Sequence, residues 1–135
     1  MNTSDPGLPP ARILIVDDEV DNRELLQIML KWEGFVTGTA ADGEEALRCA
    51  AAEPPDLILV DLLMPGIDGY QLTATLKQNP KTHHIPVIML SAMNDSATRK
   101  RALSSGANAY ITKPIDRSEL CEQVRSVLGL NAPRA

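Results

Sequence analysis

Short apolar runs separated by longer amphipathic stretches form the hydrophobic pattern of this chain. Five of these runs have the length and composition of β-strands. The run "LILV" at 57–60 is apolar throughout, which is typical of a strand buried on both faces of a parallel sheet. The five predicted strands cover residues 12–16, 35–40, 56–60, 86–90 and 109–111.

A helix is predicted after each strand. The first helix spans about 20–33, and Gly34 is placed to end it because glycine readily adopts the left-handed backbone conformation. Since its apolar positions recur at helical spacing, the ring of Trp32 is expected to pack rather than to bind a ligand. These apolar positions are Leu25, Leu26, Met29, Leu30 and Trp32.

The remaining helices differ in their caps and in their apolar content. Asp42 and Asp116 are each followed three residues later by a glutamate, a pattern that starts a helix. The helix near 95–105 has few apolar positions and is expected to be loosely held. The helix near 68–78 is expected to bury Tyr70, Leu72 and Leu76.

Five strands alternating with five helices predict an α/β fold. The expected architecture is a doubly wound, five-stranded parallel sheet in the order 2-1-3-4-5, with helices on both faces. In such sheets ligands bind beyond the carboxyl ends of the strands, where the strand order reverses. One domain is predicted over residues 11–128, with a flexible leader at 1–10 and a tail at 129–135.

The charge balance excludes one class of function. The chain has 135 residues and a net charge of −5, whereas a nucleic-acid-binding domain needs a basic face for phosphate contacts. The basic run from Arg99 to Arg101 is interpreted as the solvated face of a helix, with a partner-docking site as the alternative. We therefore expect no direct binding of nucleic acid.

Cysteine usage and the N-terminal sequence bear on location. Cys49 and Cys121 are far apart and match no metal-binding spacing, which indicates free thiols in a reducing compartment. The N-terminus lacks the features of a secretory signal, and no apolar run is long enough to span a membrane. These features predict a cytoplasmic protein without membrane contact.

Three carboxylates follow the predicted ends of strands 1 and 3. Asp17 and Asp18 follow the first strand, and Asp61 follows the third. Each aspartate alone is most simply a turn former or a helix cap. Neighbouring strands would bring all three into one pocket, where a bound cation relieves their mutual repulsion. Oxygen ligands favour Mg²⁺ over Zn²⁺.

Strands 4 and 5 add a hydroxyl group and a positive charge at the same edge. Ser91 follows the fourth strand and Lys113 follows the fifth, and each alone would be an ordinary turn or surface residue. Together with the three aspartates they predict a phosphoryl-transfer site. His83 and His84 precede strand 4, at the opposite end of the sheet, and are interpreted as a solvated loop pair.

The segments that carry these residues resemble the receiver (CheY-like) domain of two-component response regulators. They are "ILIVDDE", "DLILVDLLMPGIDGYQL", "IPVIMLSA" and "GANAYITKPID". The resemblance implies that Asp61 is the phosphoacceptor. It also implies that Asp18 binds Mg²⁺ (or Mn²⁺) directly and that Asp17 binds it through water.

The same resemblance implies further roles. The backbone carbonyl of Leu63 would be another metal ligand, Ser91 the switch hydroxyl and Tyr110 the switch aromatic residue. Lys113 would contact the phosphoryl group, and the bond between Lys113 and Pro114 would be cis. The domain would accept a phosphoryl group from a histidine kinase or phosphotransfer protein and catalyse only its own phosphorylation and dephosphorylation. Its helix 4, strand 5, helix 5 face would then change shape and signal to a protein effector.

Two apolar residues lie where other members of the family often carry polar groups. Leu63 is two residues beyond the predicted acceptor, and Met93 is two residues beyond the switch hydroxyl. Polar groups at these positions influence the access of water to the acyl phosphate. We therefore hypothesise that Leu63 and Met93 hinder hydrolysis and lengthen the life of the phosphoryl state.

Two other functions are considered from the sequence. A Mg²⁺-dependent phosphohydrolase would also use an aspartate after a strand, but Leu63 stands where such enzymes carry a second carboxylate. A binding module whose output ignores phosphorylation is the other alternative. The sequence does not decide whether the chain is a stand-alone regulator or part of a larger protein. Nor does it decide whether the chain forms a homodimer through the helix 4, strand 5, helix 5 face.

Overall fold

The predicted strands and helices are present in the computed structural model, which describes residues 9–130. Most of the predicted leader and tail, residues 1–8 and 131–135, lies outside the described residues. The strands are β1 (Arg12–Val16), β2 (Val36–Ala40), β3 (Leu57–Asp61), β4 (Val87–Ser91) and β5 (Ala109–Thr112). The helices are α1 (Val20–Trp32), α2 (Gly43–Ala52), α3 (Gly69–Gln78), α4 (Ser96–Ser104) and α5 (Arg117–Leu128).

All five strands are parallel and lie in the order β2-β1-β3-β4-β5, which confirms the predicted fold. The pairing register aligns their carboxyl ends: Val16 pairs with Val60, Asp61 with Leu90, and Ser91 with Thr112. Every loop that leaves a strand therefore begins at the same edge of the sheet. Within the described range, none of the helices combines the length and apolar character needed to cross a bilayer.

The core lies on both faces of the sheet because successive strand residues point to opposite sides. Ile13 and Ile15 of β1 face α1 and α5, whereas Leu14 and Val16 face α2 and α3. A third, smaller cluster lies beneath α4 and is referred to below as the α4 cluster. Its buried members are Leu62, Met89, Ala102, Ala107 and Tyr110, with Tyr70 packed against them.

Helix α1 buries fewer of its apolar residues than the sequence pattern predicted. Leu26 and Leu30 are buried, but Leu25 is 50% exposed and Trp32 is 73% exposed. Trp32 was expected to pack rather than to bind a ligand, and because its side chain is largely exposed, the expectation of packing is wrong. The apolar positions of α1 cover more than one face, and only the face turned towards the sheet is covered by other residues.

The predicted caps form. The side chain of Asp42 accepts a hydrogen bond from the backbone N–H of Glu45, and Asp116 accepts one from Glu119. Gly34 has a φ of 95° just after the end of α1, the conformation that favours glycine at this position. Sequence-local signals thus determine where these helices begin and end.

A cluster of charges joins the end of α1 to α5. Arg117 donates a hydrogen bond of 2.9 Å to one carboxylate oxygen of Glu33, and the buried Arg125 donates to the other. Cys121 is buried beside them, and burial followed by the charge of Glu33 raises the pKa of its thiol to about 11. Cys121 and Cys49 are both free thiols, as predicted.

Candidate phosphoryl-transfer site

The ends of β1 and β3 bring Asp17, Asp18 and Asp61 together. One carboxylate oxygen from each residue lies within 4.8 Å of the other two. Asp17 and Asp61 are buried, whereas Asp18 is exposed at the rim. This convergence follows from the pairing of β1 with β3 and was predicted from the sequence.

The buried Asp17 is only partly satisfied by the protein. Its Oδ1 accepts a 2.9 Å hydrogen bond from the backbone N–H of Glu19, and Arg23 donates a 2.8 Å bond to its backbone carbonyl. Its Oδ2 is buried and has no hydrogen-bond partner among the described residues. A buried, unpartnered carboxylate oxygen beside two further carboxylates fits a hard divalent cation, which takes oxygen ligands.

Lys113 supplies the positive charge of the site. Its Nζ lies 2.7 Å from Oδ1 of Asp61 and donates a hydrogen bond to it. Burial raises the pKa of Asp61 above its ordinary value, although Lys113 opposes this and Asp17 and Asp18 add to it. The carboxyl group of Asp61 is thus held between one cation and two like charges, as is common at functional sites.

Close backbone packing positions the loop that follows Asp61. A Cβ atom added to Gly69 would lie 2.8 Å from Cα of Leu62 and 3.0 Å from the carbonyl oxygen of Asp61. Asp68 and Gln71 form a reciprocal capping box at the start of α3. Helix α3 can approach the loop after Asp61 this closely only because position 69 has no side chain.

Ser91 and Lys113 are connected through the backbone. The N–H of Lys113 donates a 2.8 Å hydrogen bond to the carbonyl of Ser91, which ties β5 to the end of β4. The peptide bond between Lys113 and Pro114 is cis, as expected from the resemblance. Both predicted residues therefore lie at the carboxyl edge of the sheet, close to the aspartates.

Ser91 and Tyr110 both hold the loop between β4 and α4. The backbone N–H of Met93 donates a 3.1 Å hydrogen bond to Oγ of Ser91, and the hydroxyl of Tyr110 donates to the carbonyl of Met93. Tyr110 is 5% exposed and belongs to the α4 cluster. Its ring therefore points inward in the unmodified chain.

Leu63 and Met93 are exposed at the site edge, whereas His83 and His84 lie elsewhere. Leu63 is 66% exposed and Met93 is 44% exposed, and both follow strands at the site edge. His83 and His84 are exposed in the segment before β4, with His83 Nδ1 3.0 Å from the carbonyl oxygen of Pro80. The histidines lie on the amino-terminal side of β4, away from the carboxylates, as predicted.

The basic run on α4 lies on an exposed helix face, as interpreted from the sequence, and two of its arginines also contact aromatic rings. The guanidinium carbon of Arg101 lies 4.0 Å from the ring centroid of Tyr70, and that of Arg99 lies 5.1 Å from the ring of Tyr110. Sequence reasoning missed these contacts because each joins residues from different elements. The only local signal was the low apolar content of α4.

Curated relatives with similar sequences are response regulators. The chain is 45% identical over 117 residues to the response regulator PleD of Caulobacter vibrioides, covering 87% of this chain and 26% of PleD. It is 39% identical over 124 residues to the phosphate regulon transcriptional regulatory protein PhoB of Escherichia coli, covering 92% of this chain and 54% of PhoB. The chain thus spans between about a quarter and about half of these proteins.

Solved structures show the same fold. The receiver domain of the sensor histidine kinase PA1611 from Pseudomonas aeruginosa has a TM-score of 0.82 and 32% identity, covering 89% of this chain and 98% of that domain. That structure holds a magnesium ion in its active-site cleft. The family model for the response regulator receiver domain matches residues 13–125. Sequence motifs, strand order and family match all agree, and this chain belongs to the response regulator receiver domain family.

Proposed function

We propose that this domain accepts a phosphoryl group on Asp61 and passes the signal on through the surface formed by α4, β5 and α5. The observation that carries the proposal is the 2.7 Å contact between Lys113 and Asp61 beside two further carboxylates. A structural ion pair would not require Asp17 and Asp18 to converge on the same acid. A phosphoryl-transfer site requires a nucleophile, a cation and metal ligands together.

Receiver domains bind Mg²⁺ at an acidic site, and the residues of this chain fit that ion. We propose that Asp18 and Asp61 bind it directly, that Asp17 binds it through water and that the backbone carbonyl of Leu63 is a further ligand. When bound, Mg²⁺ or Mn²⁺ would neutralise part of the charge on the phosphoryl oxygens. The unpartnered Oδ2 of Asp17 supports this assignment, since a buried carboxylate oxygen needs a hydrogen-bond donor, which a metal-bound water would supply.

The proposed reaction transfers a phosphoryl group from a phosphohistidine. A carboxylate oxygen of Asp61 forms a bond to phosphorus as the phosphorus–nitrogen bond breaks, and the bonding pair leaves with the imidazole nitrogen. The imidazole is protonated at its other nitrogen, so it departs neutral. Lys113 stabilises the phosphoryl oxygens, to which its ammonium group can donate hydrogen bonds. The product is an aspartyl phosphate.

The phosphoryl group would then act on the loop after β4. Its oxygens would accept hydrogen bonds from the hydroxyl of Ser91 and from the backbone N–H of Ala92. Because Tyr110 already points inward and donates to Met93, we propose that phosphorylation stabilises this arrangement rather than creating it. The population of the inward state, and with it the shape of the output surface, would then follow phosphorylation.

The proposed function also implies a phosphodonor, a target and a restricted set of reactions. The phosphodonor would be a sensor histidine kinase or a phosphotransfer protein, and the target would be a protein effector or a further part of a longer chain. The domain would catalyse only its own phosphorylation and dephosphorylation, in the cytoplasm. A homodimer through the α4, β5, α5 surface is compatible with this function, and its presence is tested by measuring the oligomeric state in solution.

Phosphate-affinity electrophoresis tests the proposal. The protein is incubated with acetyl phosphate and Mg²⁺, and a retarded band is expected for the wild type and not for Asp61→Asn. Asp56→Asn is the matched control, because Asp56 precedes the same strand at its other end and accepts a bond from Arg12 that asparagine can also accept. It should shift like the wild type.

The same variants separate the alternative functions. Absence of a shift in the wild type, or an equal shift in Asp61→Asn, would contradict phosphorylation of Asp61 and favour a module that works without it. A phosphohydrolase would release product from a chromogenic phosphoester over many turnovers. We expect no turnover above background, because the exposed side chain of Leu63 offers no acid or base.

A further inference from the structure

Helix α4 has few apolar contacts with the rest of the domain. Only Thr98 and Ala102 are buried in it, while Ala97 and Leu103 are exposed. The N-cap is well formed, since Asp95 accepts hydrogen bonds from both the N–H and the hydroxyl of Thr98. A cap fixes where a helix begins but does not hold it against the sheet. Other contacts must therefore position α4.

Two arginines of α4 lie over two tyrosines that belong to other elements. Arg101 lies over Tyr70 of α3 at 4.0 Å, and Arg99 lies over Tyr110 of β5 at 5.1 Å. Both distances are within the range in which a cation is attracted to an aromatic face. Arg99 also donates a 3.5 Å bond to the carbonyl of Tyr110. Two arginine–tyrosine contacts thus join helix α4 to α3 and to β5.

The two tyrosines connect α4 to opposite parts of the site. Tyr70 follows Gly69, which packs directly against the backbone of the loop after Asp61, referred to below as the acceptor loop. Tyr110 donates to the carbonyl of Met93 in the loop after β4. Both rings belong to the α4 cluster, next to the buried Ala102. A change at the acceptor loop can therefore reach α4 through Tyr70 without passing through the loop after β4.

We propose that the contact between Arg101 and Tyr70 is a positioning contact that fixes α4 against the acceptor side of the domain. The inference deepens the proposed function, since its consequence for signalling rests on phosphorylation of Asp61. Its structural part concerns the unmodified protein alone. Tyr70 supplies the aromatic face and Arg101 the charge, so removing either should release α4 to the same extent, and removing both should add little.

Hydrogen exchange measured by mass spectrometry on the unphosphorylated protein tests this. Tyr70→Leu keeps an apolar side chain but removes the aromatic face, and Tyr70→Phe keeps the face as the matched control. We expect exchange of peptides covering 96–104 to rise roughly two- to fivefold in Tyr70→Leu and Arg101→Ala. Tyr70→Phe should match the wild type, and the double variant should not exceed the larger single effect.

Peptides covering α1 report on the whole fold. They should exchange at the wild-type rate in all variants; an equal rise in α1 and α4 would overturn the proposal, as would additive effects of the two substitutions. An effect of Tyr70→Phe as large as that of Tyr70→Leu would also overturn it. If Tyr70→Leu fails to fold, Arg101→Ala with Arg101→Lys as the charge-keeping control gives the same test.

A second measurement separates this inference from the proposed function. The rate of phosphorylation by acetyl phosphate should fall roughly two- to fivefold in Tyr70→Leu and stay at the wild-type value in Tyr70→Phe. An unchanged rate in Tyr70→Leu would overturn the link between Tyr70 and the site. Failure of the wild type to become phosphorylated would contradict the proposed function and leave the exchange result intact.

Discussion

Replacing Asp17 by asparagine should stabilise the metal-free protein. Carboxylate oxygens of Asp17 and Asp61 lie within 4.8 Å, and both residues are buried. At an effective dielectric constant of about 20, two unit charges at that distance repel by about 3.5 kcal/mol. Asparagine removes one of these charges and keeps an oxygen that can accept the hydrogen bond from Glu19.

The expected gain is smaller than the full repulsion. Lys113 already offsets part of the charge of Asp61, to which it donates a hydrogen bond of 2.7 Å. We therefore expect the free energy of unfolding of Asp17→Asn without metal to exceed that of the wild type by about 1 to 3 kcal/mol. For a domain of this size, that corresponds to a rise of the melting temperature of about 4 to 12 °C.

Magnesium should reduce the stability advantage of Asp17→Asn over the wild type. A ligand present at a hundred times its dissociation constant stabilises the folded state by about 2.7 kcal/mol. The wild type should gain this amount, whereas Asp17→Asn should gain much less because it has lost one of the charges that attract the ion. The assay is urea unfolding followed by circular dichroism, in EDTA and again in saturating Mg²⁺.

A matched control separates the effect of the site on stability from the effect of the change in net charge. Glu122→Gln makes the same charge change at an exposed position of α5 and should leave both measurements within about 0.5 kcal/mol of the wild type. The reasoning would be refuted if Asp17→Asn were no more stable than the wild type in EDTA. Equal stabilisation of both proteins by Mg²⁺ would refute the assignment of Asp17 to the metal site.

Three further predictions concern burial, packing and the site entrance. The folded protein keeps the proton of Cys121 to about pH 11, so stability should fall by roughly 2 to 3 kcal/mol as the pH rises from 9 to 11, as measured by urea unfolding. Gly69→Ala should cost about 1 to 3 kcal/mol and slow phosphorylation, because its Cβ would meet the backbone of Leu62. Leu63→Asn combined with Met93→Glu should speed the loss of the phosphoryl group in a release assay, because polar groups at the entrance admit water.

Each of these predictions has a control or an outcome that contradicts it. Cys121→Ala should abolish the alkaline loss of stability, and Cys49→Ala should keep it. Gly38→Ala should be close to neutral, since the nearest atom to an added Cβ there is 3.8 Å away in a side chain. An unchanged dephosphorylation rate in the double variant at Leu63 and Met93 would disprove the hypothesis that these side chains hinder hydrolysis.

Signals confined to a few neighbouring residues were enough to predict the elements of this fold. Apolar runs such as 57–60 identified buried strands, and the aspartates at 42 and 116 marked helix starts. The strand order and register then followed from rules for parallel sheets. Because the register aligns the strand ends, the convergence of Asp17, Asp61 and Lys113 was also predictable from the sequence.

Contacts between distant elements were not predictable in the same way. Nothing near Trp32 or Leu25 tells which apolar face of α1 meets the sheet, and both residues are exposed. The hydrogen bond from Arg125 to Glu33 joins residues 92 positions apart, so neither residue carries a local sign of it. Such contacts depend on how α1 and α5 pack, which is determined by the whole core.

The orientation of Tyr110 shows why the position of a site residue can be predicted from the sequence when the conformation of its side chain cannot. The sequence places the ring beside the site through the register of β5, but an inward or outward ring satisfies the same register. The inward ring gains burial and a bond to the carbonyl of Met93, while an outward ring would regain water around its hydroxyl. When two such states are separated by no more than a few kcal/mol, losing one contact of about 0.5 to 1 kcal/mol shifts their populations measurably. The population of the inward state should therefore depend on contacts such as that between Arg101 and Tyr70, which no local pattern reveals.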